Sequence, residues 1–371
     1  MNSDSQTRTS PASLTTTTAP PAKAFPRYPA SWYLFCASRQ LRKRPLSKHM
    51  LGRHLVAYRT ESGSVVVMDG RCSHLGADLG NGKVVGECIR CPFHEWEYAP
   101  DGRCVSIPHS RYIPDFAKQQ CYPAVEQHGL VFFFNGPEPL FPLPFFFDES
   151  VDDFVASSPT TFVANSTWYM VAAHGYDLQH FETVHGRRLV TPLSIDCPAP
   201  FARRSRYTAE VVGNKYYDRF LRRFAADKVS ISITTWGGTI VVITGDFRHT
   251  RSTFMIALHP IEEEKTTCDV IVFVRRSRSI FDRVLRDPMR LWVRKLLTRG
   301  YLVDEVDCLG NPRYAPNHLI DCDRDMIEYF SWVVRLPQTA NRPLTTGRSD
   351  IEESPSTDDV AVQNGQLIRS N

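Results

Sequence analysis

CSHLGADLGNGKVVGECIRCPFHEWEY, residues 72–98, holds two short arms of metal-binding type: Cys72-Ser73-His74 and, after sixteen further residues, Cys91-Pro92-Phe93-His94. Each arm pairs one thiolate with one imidazole. A two-iron two-sulfur centre of mixed ligation needs two Cys on one iron and two His on the other, so each arm has to lend one ligand of each kind to the same cluster. The Cys-x-His and Cys-x-x-His spacings do that from two facing loops. Imidazole in place of thiolate takes negative charge off the cluster and raises its potential to roughly −150 to +300 mV, against about −400 mV for plant-type clusters. A structural zinc site draws on the same side chains, and Cys88 forms a Cys-x-x-Cys pair with Cys91 in its favour. Gly76, Gly80, Gly82 and Gly86 suit either tight loops that bring backbone N–H groups to bridging sulfides or ordinary hairpin turns. Trp96 is expected to be a core aromatic packed against the loop.

Outward from this stretch, residues 54–59, 64–68 and 97–105 alternate β-type runs with turn signals, the last around Pro100, Asp101 and Gly102. Residues 26–140 thus form a small all-β domain, closed by the Pro-rich passage 136–144, which can continue neither a helix nor a central strand. The second domain spans 141–337. A strand-like run over 161–171 leads into a helix over about 173–183; β-branched runs at 229–235, 239–244, 253–258 and 270–274 predict a twisted antiparallel sheet. A long helix over about 279–308, interrupted at Pro288, covers it with Val284, Leu285, Trp292, Leu296 and Leu297 at helical spacing, and a closing helix runs over about 323–334. The fold class is therefore α+β, with a helix-grip arrangement in the second domain. Residues 1–25 and 338–371 are expected to be disordered tails.

The bulk numbers exclude several classes. With 371 residues, 42% hydrophobic and 23% charged, the chain suits two globular domains. A net charge of +4 gives nucleic-acid binding no support. Ten scattered cysteines are too sparse for a disulfide framework and fit a reducing, cytoplasmic setting. No apolar run spans a membrane, and no secretory signal is evident.

A second constellation lies at His174-Gly175-Tyr176-Asp177-Leu178-Gln179-His180-Phe181-Glu182-Thr183-Val184-His185. A mononuclear Fe(II) that binds both O₂ and substrate wants two imidazoles and one carboxylate on one face, with other positions open. Five residues separate His180 from His185, too many for a one-turn pair, so His185 has to reach a metal from just past the helix end. Taken alone, this segment is matched as well by generic helical histidines.

Taken together, the string over 72–98 and the Asp177, His180, His185 spacing resemble the Rieske non-haem iron oxygenases, and within that family an arylamine N-oxygenase. The likeness is close in the N-terminal domain and sparse in the second. It implies that Cys72, His74, Cys91 and His94 hold a Rieske cluster and that His180, His185 and a distal carboxylate hold the mononuclear iron. By the family's register the carboxylate is Asp304, with Glu305 and Asp307 as rivals. It also implies that Asp177 carries electrons from the cluster of one subunit to the iron of its neighbour in a homotrimer. NAD(P)H would supply electrons through a separate ferredoxin or flavin reductase, since the chain has no Gly-rich dinucleotide fingerprint.

The implied reaction is oxygenation, by O₂, of a small aromatic or heteroaromatic metabolite at nitrogen or a C–H bond. Oxidative demethylation or desaturation on the same centres is the alternative, and a Rieske electron carrier without oxygenase activity is the third reading. Two departures stand out: Glu95 follows the second His where relatives often have Gly, and His174 stands where many have Asn. His174 either tunes the iron site or is a satisfied core histidine. The basic residues Arg275, Arg276, Arg278, Arg283, Arg286, Arg290, Arg294, Lys295 and Arg299 form either a solvated face or a patch for an acidic electron donor.

Overall fold

The structure, a computed structural model, describes residues 18–42, 44–308 and 312–338. Strand Arg53–Arg59 shows how the N-terminal part is built. Its period-two alternation sends Leu55 and Ala57 into one core with Tyr33, Phe35, Val67 and Phe133, and Val56 and Tyr58 into another with Met68, Leu79, Ile89 and Tyr98. A strand buried on both faces fixes its own register, because a one-residue slip would exchange the two cores. This strand lies between Leu46–Met50 and Val65–Asp69, all antiparallel. In a second four-stranded sheet, Lys83–Val85, Cys88–Arg90, Glu97–Tyr98 and Cys104–Ser106, the turn after Cys88–Arg90 carries the Cys91–His94 arm, while the Cys72–His74 arm follows Val65–Asp69 of the first. A three-stranded sheet of Trp32–Ala37, Leu130–Phe134 and Ala124–Gln127 completes the unit.

The rest is a nine-stranded sheet. Its five long strands, Ala202–Val211, Lys228–Trp236, Ile240–Phe247, Arg251–Glu262 and Lys265–Arg275, pair antiparallel in sequence order. The helices are α1 (Trp168–Ala173), α2 (Leu178–Thr183), α3 (Tyr216–Phe224), α4 (Ile280–Cys308) and α5 (Arg324–Val333). The fold is thus α+β, with an N-terminal β unit and a sheet-rich C-terminal one. Alternation divides the work of the long sheet. Ile240, Val242, Met255, Ala257, Ile271 and Phe273 share a core with Trp32, Phe132, Phe134, Phe141 and Phe146, while Ile233, Val241 and Leu258 pack with α1, α2 and α5. At about 1.5–3 kcal/mol per buried large apolar side chain, the first of these cores joins the N-terminal strands firmly to the sheet. Thr239 adds hydrogen bonds to Ser31 Oγ at 2.7 Å and to the Trp32 carbonyl at 3.0 Å.

Four expectations need correction. Residues 18–25 are ordered, not part of a tail: Ala22–Ala24 form a 3₁₀ turn, and Phe25 stacks on Tyr169 at 3.9 Å. The remainder of that tail, like 339–371, lies outside the described residues. The strand-like run over 161–171 ends at Ala164, and α1 takes over from Trp168, whose ring goes into the core. The helix expected over 173–183 breaks into a 3₁₀ turn, His174–Tyr176, then Asp177 in extended conformation, then α2. Finally, α4 does not cover the sheet with its apolar stripe. Of that stripe Val284, Leu285, Trp292 and Leu296 are exposed, along with Phe281 and Met289, whereas Leu297 faces inward as expected, joined by Val293 and Tyr301. The cationic residues nearby fit a solvated face, with Arg275 paired to Glu149 and Arg286 to Asp282 at 3.2 Å. Among the described residues, no helix is long and apolar enough to cross a membrane.

Candidate metal centres

The two N-terminal arms meet. Cys72 and Cys91 are buried with their thiols in hydrogen-bonding reach of each other, and the His74 and His94 rings lie 4.8 Å apart. Matching backbone turns hold them: Cys72 N–H donates to the Ala77 carbonyl at 2.9 Å, and Cys91 N–H to the Trp96 carbonyl at 2.8 Å. Four residues after each cysteine the chain turns left-handed, at Gly76 (φ +75°) and at Glu95 (φ +57°). A non-glycine residue in that conformation costs about 1–2 kcal/mol.

Around the arms the structure adds residues to which sequence reasoning gave no chemical role. Trp96 stacks flat on His74, centroids 4.4 Å apart at 4°. Tyr98 Oη lies 3.0 Å from both Cys72 Sγ and Ser73 Oγ. Burial pushes the Cys72 thiol up, and the Tyr98 contact works against that. The fit to a mixed-ligand cluster rests on one further observation: His74 Nδ1 is buried and has no partner among protein atoms, as befits a nitrogen placed for a metal. His94 and the loop tips Leu75 and Phe93 are exposed, the last two at 65% and 61%.

In the second domain, Asp177 caps α2, accepting the backbone N–H of His180 at 3.1 Å. His185 follows the helix end, as its spacing requires. Gly186 makes the bend (φ +57°), and a Cβ there would sit 2.6 Å from Gly213 Cα. The turn brings His180 Nε2 and His185 Nε2 within 3.1 Å of each other. Two imidazole nitrogens converging on one point fit a shared metal ion. His185 is only 3% exposed and stacks on Tyr301 at 3.9 Å and 12°, while His174 stacks on His180 at 4.6 Å. His174 lines the cavity beside the pair. Asp304, Glu305 and Asp307 lie on the last turns of α4, but their side chains fall outside the described residues. Among the described residues no three His, Cys, Asp or Glu side chains form a single-ion site; both constellations present their ligands in pairs.

A buried ion pair supports His185 from behind. Arg187 donates to the His185 carbonyl at 2.6 Å and to Asp218 Oδ1 at 2.7 Å, with side chains 4% and 1% exposed. Leaving such a cation unpaired costs about 3–5 kcal/mol. Asp218→Ala is therefore expected to lower stability by that amount in urea unfolding and to loosen His185; a loss under about 1 kcal/mol would show that solvent reaches Arg187.

Both faces of this arrangement border a cavity of about 400 Å³. Rows of side chains from the long sheet form one wall, Tyr207 beside Ile231, then Ile233, Ile243 and Phe254 in register. The remaining walls come from His174, His180 and His185, from Phe220 and Phe224 of α3, and from Val293, Leu297 and Tyr301 of α4. Of Trp236, Phe254 and Met255 on the sheet, Phe254 faces this cavity, Met255 enters the opposite core, and Trp236 packs on Phe141 and Phe147.

A paired Cys/His centre in an N-terminal β unit and a second imidazole pair at an apolar cavity under a helix-flanked sheet thus make two separate candidate metal centres in one chain. Residues 31–122 belong to the Rieske 2Fe-2S domain family. The chain is 39% identical over 173 residues to aminopyrrolnitrin oxygenase of Pseudomonas fluorescens, covering 43% of this chain and 46% of that protein. It is 36% identical over 166 residues to cholesterol 7-desaturase of Xenopus laevis, covering 43% and 37%. These matches span less than half the length of either relative. Over 82% of the chain the fold matches dicamba monooxygenase bound to dicamba (TM-score 0.59, 16% identity, 96% of that chain). Over 82% it also matches the NdmA QL mutant of Pseudomonas putida with caffeine (TM-score 0.61, 19% identity, 89% of that chain). Those two likenesses establish the fold.

Proposed function

We propose that this chain is a Rieske non-haem iron oxygenase that uses O₂ and externally supplied electrons to oxygenate a small aromatic or heteroaromatic metabolite. The observation that carries the reading is the His180 and His185 pair, 3.1 Å apart at the edge of an apolar cavity, in a chain with a Rieske domain. Cys72, His74, Cys91 and His94 would hold the cluster; His180, His185 and Asp304 would hold Fe(II). When bound, the cluster supplies electrons and the mononuclear iron activates O₂. The chain's own part is positional. Trp96 fixes the His74 ring, and Tyr98 can donate to the Cys72 sulfur. Tyr301 and Arg187 hold His185, and the apolar walls exclude water from the reacting groups.

The partners follow from the same reading. Electrons come from NAD(P)H through a separate ferredoxin or flavin reductase, and Asp177 links the cluster of one subunit to the iron of the next in a homotrimer. The exposed His94, Leu75 and Phe93 support an interface at the cluster. Ten cysteines in 371 residues, too sparse for a disulfide framework, support a cytoplasmic setting. A second reading, desaturation or oxidative demethylation, is favoured by the 36% identity to a sterol desaturase and by the apolar cavity.

The test is turnover of an arylamine panel with a ferredoxin reductase, NADH and isotopically labelled O₂. Oxygenation puts one labelled atom in the product, whereas desaturation removes two hydrogens and adds none. A fully metallated protein that reduces and reoxidises but transforms no arylamine, sterol or N-methyl substrate would be an electron carrier.

A further inference from the structure

The cavity wall holds a polar atom that the fold does not use. Tyr207 lies on strand Ala202–Val211, whose odd-numbered side chains Arg203, Ser205, Tyr207, Ala209 and Val211 all point inward. Its ring packs on Phe181 at 4.8 Å and stands opposite Ile231 in the sheet. The side chain is 4% exposed, and its hydroxyl has no hydrogen-bond partner among the described residues. A buried hydroxyl without a partner costs free energy that a phenylalanine of the same shape would avoid. Burial also pushes its ionisation well up, so the group remains a neutral O–H.

Several charged and imidazole groups on the cavity are engaged with other partners. Arg187 is paired with Asp218, Arg294 bonds Thr250 Oγ1 at 2.8 Å and the Arg251 carbonyl, and the two imidazoles face each other. We propose that Tyr207 is the specificity-determining residue of the cavity and hydrogen-bonds the one neutral polar group of an otherwise apolar ring substrate. The polar group is an arylamine nitrogen or a hydroxyl, held while the carbon skeleton fills the space beside Ile231, Ile233 and Phe254. The inference rests on the cavity being the substrate site, and it narrows that reading from apolar rings in general to rings bearing one uncharged nitrogen or oxygen function. A site built around such a bond rejects analogues lacking the group, because its own polar atom is then left unpaired.

The experiment compares naphthylamine with methylnaphthalene, which differ only by NH₂ for CH₃, and adds naphthol as the hydroxyl analogue. Binding to the metallated wild type and to Tyr207→Phe is followed by ligand fluorescence and calorimetry, with thermal unfolding of both proteins in parallel. Tyr207→Phe is expected to weaken naphthylamine and naphthol on the order of tenfold, to leave methylnaphthalene unchanged, and to unfold no earlier than wild type. Equal binding of all three probes that Tyr207→Phe does not alter would overturn the assignment while leaving the cavity as a ring-binding site. A Tyr207→Phe protein that unfolds earlier without probes would overturn it too, since the hydroxyl would then have a partner inside the fold. If none of the probes binds wild type, the substrate-site reading falls and this assignment with it.

Discussion

The His180→Ala, His185→Ala double variant is expected to bind about two irons and two acid-labile sulfides per chain, against about three and two in wild type. It should keep a Rieske visible spectrum and lose turnover. The argument is geometric. The two Nε2 atoms converge at 3.1 Å, and the rings are held by independent contacts, His180 through α2 and its Asp177 cap, His185 through Tyr301 and the Arg187 bond to its carbonyl. Removing both imidazoles takes away two-thirds of a two-His, one-carboxylate site and leaves a carboxylate too weak alone to retain Fe(II). The Cys/His arms lie in the N-terminal β unit, where Cys72 and Cys91 belong to a core apart from that of α1, α2 and α5, so cluster iron and sulfide serve as an internal control on folding. Iron and sulfide falling together would mean that the variant had unfolded, and His185→Gln, which keeps more of the buried volume, would then be measured instead. Iron unchanged at about three would remove these histidines from the metal.

The sequence revealed some parts of this arrangement better than others, for physical reasons. The Cys/His arms were legible because a mixed-ligand cluster restricts both residue type and spacing within each arm, and those restrictions are local. The long strands were legible because β-branched runs bounded by turn residues carry their own signal. Asp177 was harder. In a helical stretch it looks like a surface acid one turn before His180, whereas in the structure it ends one short helix segment and starts the next. An Asp three residues before a backbone N–H is an N-cap signal that the pattern contained and the helical reading overrode.

The stripe on α4 misled for the opposite reason. Val284, Leu285, Trp292 and Leu296 have the period of a buried face, yet they are exposed, and a period alone does not say which way a face points. Tyr98, Tyr207, Tyr301 and the Arg187 and Asp218 pair had no short-range signature. They matter through partners 20 or more residues away in sequence, and only the folded sheet brings those together.

Asp177 is where position and chemistry can be separated. As an N-cap its carboxylate satisfies the His180 amide, a contribution of about 0.5–2 kcal/mol that asparagine retains and alanine loses. As a bridge between a cluster and an iron it needs its charge or its full accepting capacity, which asparagine lacks. Asp177→Asn is therefore expected to fold with stability within a few tenths of a kcal/mol of wild type and to bind both metals. Its turnover should nevertheless fall on the order of 10–100-fold or more, the scale seen when groups behind a metal ligand are removed. Asp177→Ala should add a stability loss of about 1 kcal/mol to the same defect. Full activity in Asp177→Asn would reduce the residue to a cap. The trimer reading adds a sharper consequence, because a path that crosses between subunits can be repaired from outside. Subunits carrying Asp177→Asn, mixed and reassembled with subunits carrying Cys91→Ser, should recover part of the activity that neither has alone. In such a mixed trimer an intact cluster on one subunit faces an intact Asp177 and iron site on its neighbour. A path confined to one subunit gives no recovery at any mixing ratio, and that result would place electron transfer within the single chain.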